Sequence, residues 1–481
     1  MNGKHWLLPG LGVILLLIFV VLPPIGALTP LGMKVFGIFL FTRMWWAALG
    51  IGFPSFVCLV LIALLGVMTP TEVFAASWGN WLILFLIGSF GLSEGLRASG
   101  FSRRFALWFI TLPFVAGHPW RLLSMFLLAC TLLGGILSLT VTCVVFMAIA
   151  EPMLAALGYK RGDPFAAMLM MAIGWSATAS SAMTPISHAT NLAVMDFVQK
   201  DTGRPMSWVL WMVAGIPLAL LTLGMLLLFY RYVVRPDLSK FGAMAVDYVR
   251  AEAAKMGRMK TEEKVAVAVV ILVIALWTLP SVAGNALPDV SAYLNEMGYV
   301  IPALGGGSLL CLIRIRNRPI ISFRDWMVGV EWDTVALCGG IMALTEIIGN
   351  PKTGIIQFLG DIFRPIATGA PFTVFLMIIL FWTIVQTNMM SNLVSATTVY
   401  RVMVPVAIAT GVGNPVAMAF IITAGANYAF ALPSATTSTA LVTGSGWVPV
   451  GFMLKYGILL IIPVVLLLTF IGYPLAALVF R

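Results

Sequence analysis

Four polar stretches interrupt the apolar segments of this 481-residue chain and hold the residue types that could bind a solute. They lie within residues 121–157, 164–197, 372–410 and 413–445, and they are rich in Ser, Thr, Gly, Asn and Pro. Because unpaired backbone amides are costly in lipid, a helix breaks at membrane depth only where protein or a water-filled cavity surrounds the break. Freed carbonyls and hydroxyls at such a break can coordinate a cation, and an exposed helix N-terminus favours an anion.

The first and third stretches each consist of two short apolar arms around a polar tip. Basic residues flank the first stretch at both ends, so both ends belong on the same, cytoplasmic side of the membrane. The pattern therefore predicts a re-entrant hairpin in each stretch. The candidate substrate-binding residues at the two tips are Ser138, Thr140, Ser391 and Asn392.

The second and fourth stretches have the pattern of helices that are interrupted at a proline. Proline lacks a backbone N–H and clashes with the preceding turn, so Pro185 and Pro433 each favour a break. Ser, Thr and Gly are also common where transmembrane helices pack closely, so packing explains any single one of these residues equally well. Their occurrence at four matched tips favours binding. The candidate substrate-binding residues of these two stretches are Thr184, Pro185, His188, Pro433, Thr436 and Thr437.

His188 is one of only three histidines and lies inside the first broken helix. A histidine titrates near neutral pH, so it could carry a proton or donate a hydrogen bond to a carboxylate. A neutral histidine that makes local hydrogen bonds fits the same position. The sequence leaves both interpretations open.

Acidic residues are few within the apolar segments, where a carboxylate is a functional candidate by default. Glu94 is followed by Arg97, which favours an interfacial ion pair, and we expect the same role for Glu346 at the matching position of the second half. Asp196 follows the break in the second stretch, and we expect it to be exposed. None of the four breaks contains Asp or Glu, which disfavours a cation/proton antiporter.

The elements that must position these residues are membrane-spanning helices. Hydrophobic residues make up 61% of the chain and charged residues 10%, whereas a soluble domain carries about 25% charged residues. Together with the interrupted stretches, the apolar runs predict an all-α polytopic membrane protein with about 11 transmembrane segments. The uninterrupted apolar runs are 6–27, 44–68, 104–117, 207–231, 265–280, 298–313, 326–348 and 450–480.

The formal net charge of +10 comes from basic clusters in a few loops, which face the cytoplasm by the positive-inside rule. We therefore expect a bacterial inner (plasma) membrane protein without a nucleic-acid partner. No zinc-protease HExxH motif, Walker-type phosphate loop or CxxC pair occurs in the sequence. These absences predict that the chain is not an enzyme and that an ion gradient, not ATP, supplies the energy.

Residues 232–263 form the only long polar segment and are predicted as a cytoplasmic helix that links two membrane halves, 1–231 and 264–481. Three short motifs recur in the same order in both halves, at a nearly constant offset of about 250 residues. We interpret the halves as repeats, which are typical of secondary transporters. We expect the second to be inverted, although counting five or six spans per half does not require it. The matched motifs are 92–94 with 344–346, Ser138 with Ser391, and 183–194 with 431–442.

At the four tips the sequence resembles the divalent anion:sodium symporter family, the dicarboxylate, citrate and sulfate carriers of the wider ion transporter superfamily. That family has Ser-Asn-Thr at each hairpin tip and a Thr-Pro-Pro-Asn-like motif in each broken helix. The tips here depart from it, because Leu139 replaces the Asn of the first motif and Leu393 replaces the Thr of the second. The similar stretches are 100–106, 184–191, 432–436 and 442–448, and the resemblance spans nearly the whole chain.

The resemblance implies two sodium sites beside a substrate site. Because the first tip lacks its Asn, we expect a well-formed cation site at Asn392 and a weakened one at Ser138. The resemblance also implies a homodimer, in which a transport domain moves against a scaffold by elevator-type alternating access. The implied sodium ligands are Ser138, Ser187, Asn191, Asn392 and the carbonyl of Ala435.

These patterns together predict an ion-coupled secondary transporter in the lipid bilayer, with Na⁺ as the coupling ion and no other cofactor. Its substrate would be a small anion such as a dicarboxylate, a related carboxylate or a sulfate-like anion. A proton-coupled anion carrier, a cation/proton antiporter or a channel of the same architecture is the alternative. The identity of the anion and the ion stoichiometry do not follow from the sequence.

Overall fold

A computed structural model describes residues 7–115, 118–203, 206–239, 241, 243–284, 286–433 and 435–481, without the side chains of 243, 244, 364 and 366–368. The start of the predicted run 6–27 and Ser434 of the fourth stretch lie outside the described residues. The described chain is helical apart from its connections and one short ladder, in which β1 (Arg314–Ile315) pairs antiparallel with β2 (Arg318–Pro319). The predicted all-α class is confirmed with this small exception.

The helices follow one another along the chain with short connections. The first half and the linker contain α1 (Leu7–Val21), α2 (Pro30–Leu49), α3 (Gly52–Leu64), α4 (Pro70–Ala76), α5 (Trp81–Ser99), α6 (Phe101–Ile110), α7 (Pro119–Gly134), α8 (Leu139–Ala156), α9 (Pro164–Ser180), α10 (Ala189–Thr202), α11 (Trp208–Phe229), extended by a π-helical turn (Tyr230–Val234), and α12 (Ala243–Lys255). The second half contains α13 (Thr261–Ala283), α14 (Pro288–Met297), α15 (Val300–Leu312), α16 (Phe323–Gly329), α17 (Trp332–Ile348), α18 (Ile355–Gly369), α19 (Phe372–Met389), α20 (Asn392–Thr410), α21 (Pro415–Asn427), α22 (Thr437–Gly444), α23 (Val450–Leu467), a π-helical turn (Leu468–Gly472) and α24 (Tyr473–Val479).

Seven helical segments of the described chain are long and apolar enough to cross a membrane, and the bent pair α16–α17 makes an eighth if it is one span. Six further apolar helices are shorter, with 10–17 residues each. Three of the shorter helices, α7, α9 and α21, end at one of the predicted breaks. The predicted number of transmembrane segments therefore stays a prediction.

All four predicted interruptions are present as breaks between helices. The hairpins turn at residues 135–138, between α7 and α8, and at 390–391, between α19 and α20. The broken helices are interrupted at residues 181–188, between α9 and α10, and at 428–436, between α21 and α22. The depth of the hairpins in a membrane stays a prediction.

Three predicted spans are not single helices. Of the run 104–117, only the residues up to Ile110 belong to α6, and a separate 3₁₀ turn, Pro113–Val115, follows. The run 44–68 divides at Gly50, whose φ of 88° lies in the left-handed region that glycine adopts without a steric penalty. The run 326–348 divides at Val330 and Glu331, where α16 and α17 meet at 62°. The second division adds a fifth break to the four that the sequence predicts.

The packing of the two halves is reciprocal. Helix α3 packs on α17, while α15, at the corresponding place in the second half, packs on α5. The second part of each broken helix likewise packs on the other half's hairpin, α10 on α20 and α22 on α8. The broken helices also cross, with α9 against α22 and α10 against α21. This exchange supports the predicted repeats, whose common origin and relative orientation stay predictions.

The linker contains the expected helix, α12, which packs against α6. Arg103 Nη2 lies 2.8 Å from Glu252 Oε2, and the hydrogen bond from Lys255 lowers the pKa of the Glu252 carboxyl below its ordinary value. Arg104 donates to the carbonyls of residues 256–258 just beyond α12 and pairs with Glu263. These contacts attach the linker to the first half, while the proposed boundaries of the halves stay predictions.

Candidate functional site

The tips of both hairpins and the breaks of both broken helices meet at one cavity of about 470 Å³. Apolar side chains of α2, α5 and α13 close the opposite wall, among them Trp46, Phe90 and Trp277. The fold thereby brings together residues that are more than 250 positions apart in the sequence, such as Ser138 and Asn392. Of the residues that the sequence analysis proposed for binding, those lining the cavity are Ser138, Ser187, His188, Ser391, Asn392, Pro433, Ala435, Thr436 and Thr437.

Four of the proposed residues do not line the cavity: Thr140, Thr184, Pro185 and Asn191. Thr184 Oγ1 donates to the carbonyl oxygen of Gly135 at 2.5 Å, which ties the first broken helix to the turn of the first hairpin. Pro185 begins a 3₁₀ turn that carries Ser187 to the cavity wall. Thr184 and Pro185 thus lie in the connections that shape the tips.

Asn191 lies behind the cavity wall and holds the break of the first broken helix together. Its Nδ2 donates to the carbonyl oxygens of Ser181, at 2.7 Å, and Thr184, at 2.9 Å. Its Oδ1 accepts a hydrogen bond of 2.8 Å from Nδ2 of Asn427, the last residue of α21. The Asn191 side chain therefore holds two backbone carbonyls of the break in place, and it links the two broken helices.

Two more polar contacts hold the broken helices together where they cross. The hydroxyls of Thr178 in α9 and Ser438 in α22 lie 2.8 Å apart, and both residues are fully buried. Trp175 Nε1 donates to the carbonyl oxygen of Phe430 at 3.0 Å, and its ring stacks on Tyr230 with centroids 5.9 Å apart. The sequence analysis missed Asn427 and these contacts, although an Asn at the end of the apolar run 415–427 is a visible signal.

Three cavity residues also begin the helices that follow the breaks. The Oγ of Ser138 accepts from the backbone N of Val141 at 3.3 Å, and Oγ1 of Thr436 accepts from that of Thr439 at 3.2 Å. His188 caps α10 in the same way through Nδ1. Since such caps satisfy backbone N–H groups that a helix leaves unpaired, these residues place helix N-termini at the cavity wall. The partial positive charge there favours an anionic ligand.

His188 and Asn392 lie side by side in the cavity wall, with His188 Nε2 and Asn392 Nδ2 3.5 Å apart. His188 Nδ1 accepts from the backbone N of Thr190 at 3.2 Å, which assigns the ring proton of the neutral imidazole to Nε2. Asn392 Oδ1 accepts from Thr387 Oγ1 at 3.0 Å, so its amide nitrogen is turned to the histidine. Both groups then present N–H donors at one point of the cavity, where an anionic oxygen could accept from both.

A carboxylate also reaches the cavity, from the fifth break. Glu331 lies between α16 and α17 and lines the cavity, as do Asp333 and Thr334 of the first turn of α17. The four predicted breaks contain no acidic residue, as the sequence analysis stated, but it interpreted 326–348 as one span and so missed the fifth break with Glu331. Within the described residues, the lining contains no Lys or Arg.

The two matched acidic residues of the halves have different partners. Arg97 Nε donates to Glu94 Oε2 at 2.7 Å, so the predicted local ion pair is confirmed. Glu346 instead lies across a helix interface, with its Oε2 3.6 Å from Nζ of Lys200 in α10. The expectation of the same role for both residues does not hold, because Glu346 lacks a basic residue in its own next turn.

Asp196 was expected to be exposed, and this expectation is wrong. It is buried between α10 and α5, where Oδ1 accepts from Nε1 of Trp81 at 3.0 Å and Oδ2 lies 3.1 Å from Nζ of Lys200. Burial is possible because these two partners offset the loss of hydration. Asp196 therefore joins a broken helix to α5, outside the hairpins.

Apolar spans around a cavity at which the polar tips of two hairpins and the breaks of two broken helices meet define a membrane transporter rather than an enzyme. The family model described as citrate transporter matches residues 36–425, and the chain therefore belongs to this family. The protein is integral to the inner (plasma) membrane. These assignments confirm the predicted resemblance to the divalent anion:sodium symporters.

The chain is similar to two staphylococcal proteins named sodium-dependent dicarboxylate transporter SdcS. It is 27% identical to that of Staphylococcus saprophyticus over 464 residues, which cover 92% of this chain and 86% of the relative. It is 26% identical to that of Staphylococcus aureus over 450 residues, with 89% and 82% covered. Among solved structures, the YdaH transporter of Alcanivorax borkumensis shares the fold, with a TM-score of 0.56, 15% identity, and 84% of this chain and 87% of that chain covered.

Proposed function

We propose that this protein is a sodium-coupled symporter of small dicarboxylates. The observation that carries the proposal is the pair of N–H donors that His188 Nε2 and Asn392 Nδ2 present at one point of the cavity. A carboxylate oxygen is a strong acceptor for such donors. The names of the staphylococcal relatives support both the substrate class and the coupling ion.

The charge of the cavity supports coupling to a cation. The described lining residues include helix N-termini and amides but no Lys or Arg, so the protein supplies little positive charge to a dianion. A co-transported cation would offset the charge that the anion brings into a low-dielectric site. Uptake of the anion without the cation would then be slow because the uncompensated charge is costly to bury.

Four of the five proposed cation ligands line this cavity. At the second hairpin, Asn392 and Ala435 both line it, which supports the proposed sodium site there. At the first, Ser138 and Ser187 line it, whereas Asn191 donates to the carbonyls of Ser181 and Thr184 from behind. Asn191 would then orient these carbonyls for a cation rather than coordinate one itself.

Alternating access would follow from movement of one group of helices against another. The proposed transport domain contains the two hairpins, the two broken helices, α11 and α23, which pack on one another. The proposed scaffold includes α3, α5, α15 and α17, which also pack among themselves. An elevator-type motion and a homodimer built through the scaffold are both part of the proposal and rest on the family resemblance.

The proposal is tested with the purified chain in liposomes. We expect uptake of labelled succinate driven by an inward Na⁺ gradient, and no uptake when K⁺ replaces Na⁺. Asn392→Ala should abolish most of this uptake, whereas Asn295→Ala, on the exposed face of α14, serves as the matched control and should leave it unchanged.

Two outcomes would overturn the proposal. If no di- or tricarboxylate, sulfate or taurine-like anion is taken up under either a Na⁺ or a proton gradient, the transporter does not carry small anions. If succinate uptake follows a proton gradient and ignores Na⁺, the protein is a proton-coupled carrier instead.

A further inference from the structure

We infer that Gly215 of α11 and Gly457 of α23 are positioning residues for the breaks of the two broken helices. Each glycine lets a long helix contact the backbone of one break directly, and thereby fixes where that break presents its oxygens to the cavity. The inference rests on the proposed function, because the groups that are positioned belong to the proposed cation sites. Both helices are part of the proposed transport domain, so these contacts would move together with the sites.

One backbone carbonyl of each break is held by a tryptophan. Trp211 Nε1 donates to the carbonyl oxygen of Ala182 at 3.1 Å. Trp175 Nε1 donates to that of Phe430 at 3.0 Å. All four residues are buried, and neither Ala182 nor Phe430 lines the cavity. A buried carbonyl that has left its helix needs such a donor, because water does not reach it.

A glycine lies behind each of these two carbonyls. A Cβ atom on Gly215 would lie 2.2 Å from the carbonyl oxygen of Ala182. One on Gly457 would lie 2.6 Å from the carbonyl oxygen of Phe430 and 2.3 Å from Cα of Ala431. Neither glycine has a φ in the left-handed region, and glycine weakens a helix interior relative to alanine. The close approach of the break therefore explains glycine at these two positions.

The contact occurs at equivalent places in the two halves. Ala182 and Phe430 each immediately precede one of the matched motifs, 183–194 and 431–442. The glycine lies in the second helix after the break in each half, α11 or α23. The indole donors differ, because one comes from α11 itself and the other from α9. What the halves share is the contact between a glycine and the backbone of a break.

The contact at Gly215 is linked to the first proposed cation site through the backbone of the break. Ala182 lies between Ser181 and Thr184, whose carbonyl oxygens accept from Asn191 Nδ2. A methyl group on Gly215 would displace this segment by roughly 1 Å, because a backbone carbonyl cannot rotate away as a side chain can. A binding site must hold its ligands to within about 0.5 Å, so the oxygens for the cation would be misplaced.

The contact at Gly457 is linked to the second proposed cation site in a similar way. Ala431, which lies against Gly457, donates its backbone N–H to Asn388 Oδ1 at 2.6 Å. Asn388 lies in the last turn of α19, just before the tip of the second hairpin. A displaced Ala431 would therefore shift both the break that leads to Ala435 and the hairpin arm that leads to Asn392.

Na⁺ affinity distinguishes positioning from packing. Small residues are common where membrane helices approach closely, and a glycine that only permits packing would affect stability alone. The melting temperature of the purified full chain in detergent is followed as NaCl replaces choline chloride at constant ionic strength. A saturable rise then gives the apparent Na⁺ affinity without substrate and without transport, and the value in choline chloride gives the stability.

Each glycine is tested in a background that lacks the other proposed cation site. Gly215→Ala is combined with Asn392→Ala, and Gly457→Ala with Ser138→Ala. We expect each Gly→Ala change to weaken the apparent Na⁺ affinity of its background by roughly tenfold or more, because ligands displaced by about 1 Å lose much of their interaction with the ion.

The same two helices offer matched controls. A Cβ atom on Gly224 in α11 or on Gly451 in α23 would meet no neighbouring atom within 4 Å. Gly224→Ala and Gly451→Ala should therefore leave the Na⁺ affinity of the same backgrounds unchanged. If a tested Gly→Ala variant fails to fold, Trp211→Phe or Trp175→Phe takes its place. Each removes the indole donor but keeps an aromatic ring, and each should weaken Na⁺ binding at its own break.

The inference is overturned for a glycine whose Ala variant, or the Phe variant that replaces it, binds Na⁺ as tightly as its control, even if its melting temperature in choline chloride is lower. These results are separable from the proposed function. Na⁺ affinity that falls in Gly215→Ala and Gly457→Ala, in a protein that takes up no anion, would support the inference and contradict the proposed function. Na⁺-driven succinate uptake with an unchanged Na⁺ requirement in both variants would support the function and contradict the inference.

Discussion

His188 caps a helix with one ring nitrogen and presents the other to the cavity. Nδ1 accepts from the backbone N of Thr190 and caps α10, while Nε2 faces Asn392. The sequence left a local role and a ligand-binding role as alternatives, and in the structure the local role is present while the second nitrogen stays available. Both roles fit one side chain because the two nitrogens lie on opposite sides of the ring.

The two roles of His188 can be separated by substitution. Asn is a good N-cap, so His188→Asn should keep the melting temperature but remove the donor at Nε2, and KM for the anion should rise roughly tenfold. His188→Ala should lose the cap as well, at a cost of about 0.5–2 kcal/mol in stability. Uptake kinetics and thermal unfolding in detergent measure the two effects. A wild-type KM in His188→Asn would exclude the histidine as a substrate ligand.

Individual residues differ in how well their place could be predicted from the sequence. Ser138, His188 and Asn392 stand out because they are polar residues within apolar stretches, next to residues that break helices. Glu331 does not stand out in this way. It precedes Trp332 and Asp333, a pattern that is typical of a helix that starts at the membrane surface. Its place in the same cavity wall as Ser138 depends on a tertiary approach of segments that are more than 190 residues apart, which no local pattern encodes.

At the scale of helices, the crossing of the two broken helices is held by buried polar contacts. Asn191 and Asn427 are fully buried and hydrogen-bonded to each other, and Thr178 pairs with Ser438 nearby. Since each break leaves backbone groups unpaired, side-chain amides and hydroxyls must satisfy them where water is absent. The contacts between the halves therefore stabilise the very interruptions that form the cavity.

Removing one partner of this crossing should destabilise the whole protein. Asn427→Ala leaves Oδ1 of Asn191 without its donor in a buried position, and we expect a loss of about 1–3 kcal/mol in the free energy of unfolding. The melting temperature in detergent measures it, and Asn295→Ala at the exposed surface of α14 is the control. If the two variants unfold at the same temperature, the bond does not stabilise the crossing.

Helices were predicted well where their apolar pattern is unbroken and less well elsewhere. Lys34 and Arg43 dilute the hydropathy of α2, so the sequence analysis recognised only its end. Lys34 is accommodated because its Nζ donates to the carbonyl of Leu65 at 3.0 Å. The bend at Val330 and Glu331 was missed because neither residue is a helix breaker. Both α16 and α17 pack on α5.

At the scale of the molecule, the proposed transport domain contacts the proposed scaffold through a small number of polar bonds. Asp196 accepts from Trp81 of α5, and Lys200 lies near Glu346 of α17. Arg401 of α20 pairs with Asp201, within the proposed transport domain itself. If one domain moves against the other, the bonds of Asp196 and Lys200 to the scaffold must break, whereas the Arg401 pair should persist.

A reversible cross-link between α10 and α17 tests this motion. In the double variant Lys200→Cys/Glu346→Cys, a thiol reagent that spans the former ion pair should stop Na⁺-driven uptake, because it ties the broken helix to the scaffold. Reductant should restore uptake. The matched control joins residues of one domain, Asp201→Cys/Arg401→Cys, and should transport after cross-linking as well as before. Full uptake by the cross-linked α10–α17 variant would show that these helices do not separate during transport, and the elevator-type motion would then be wrong.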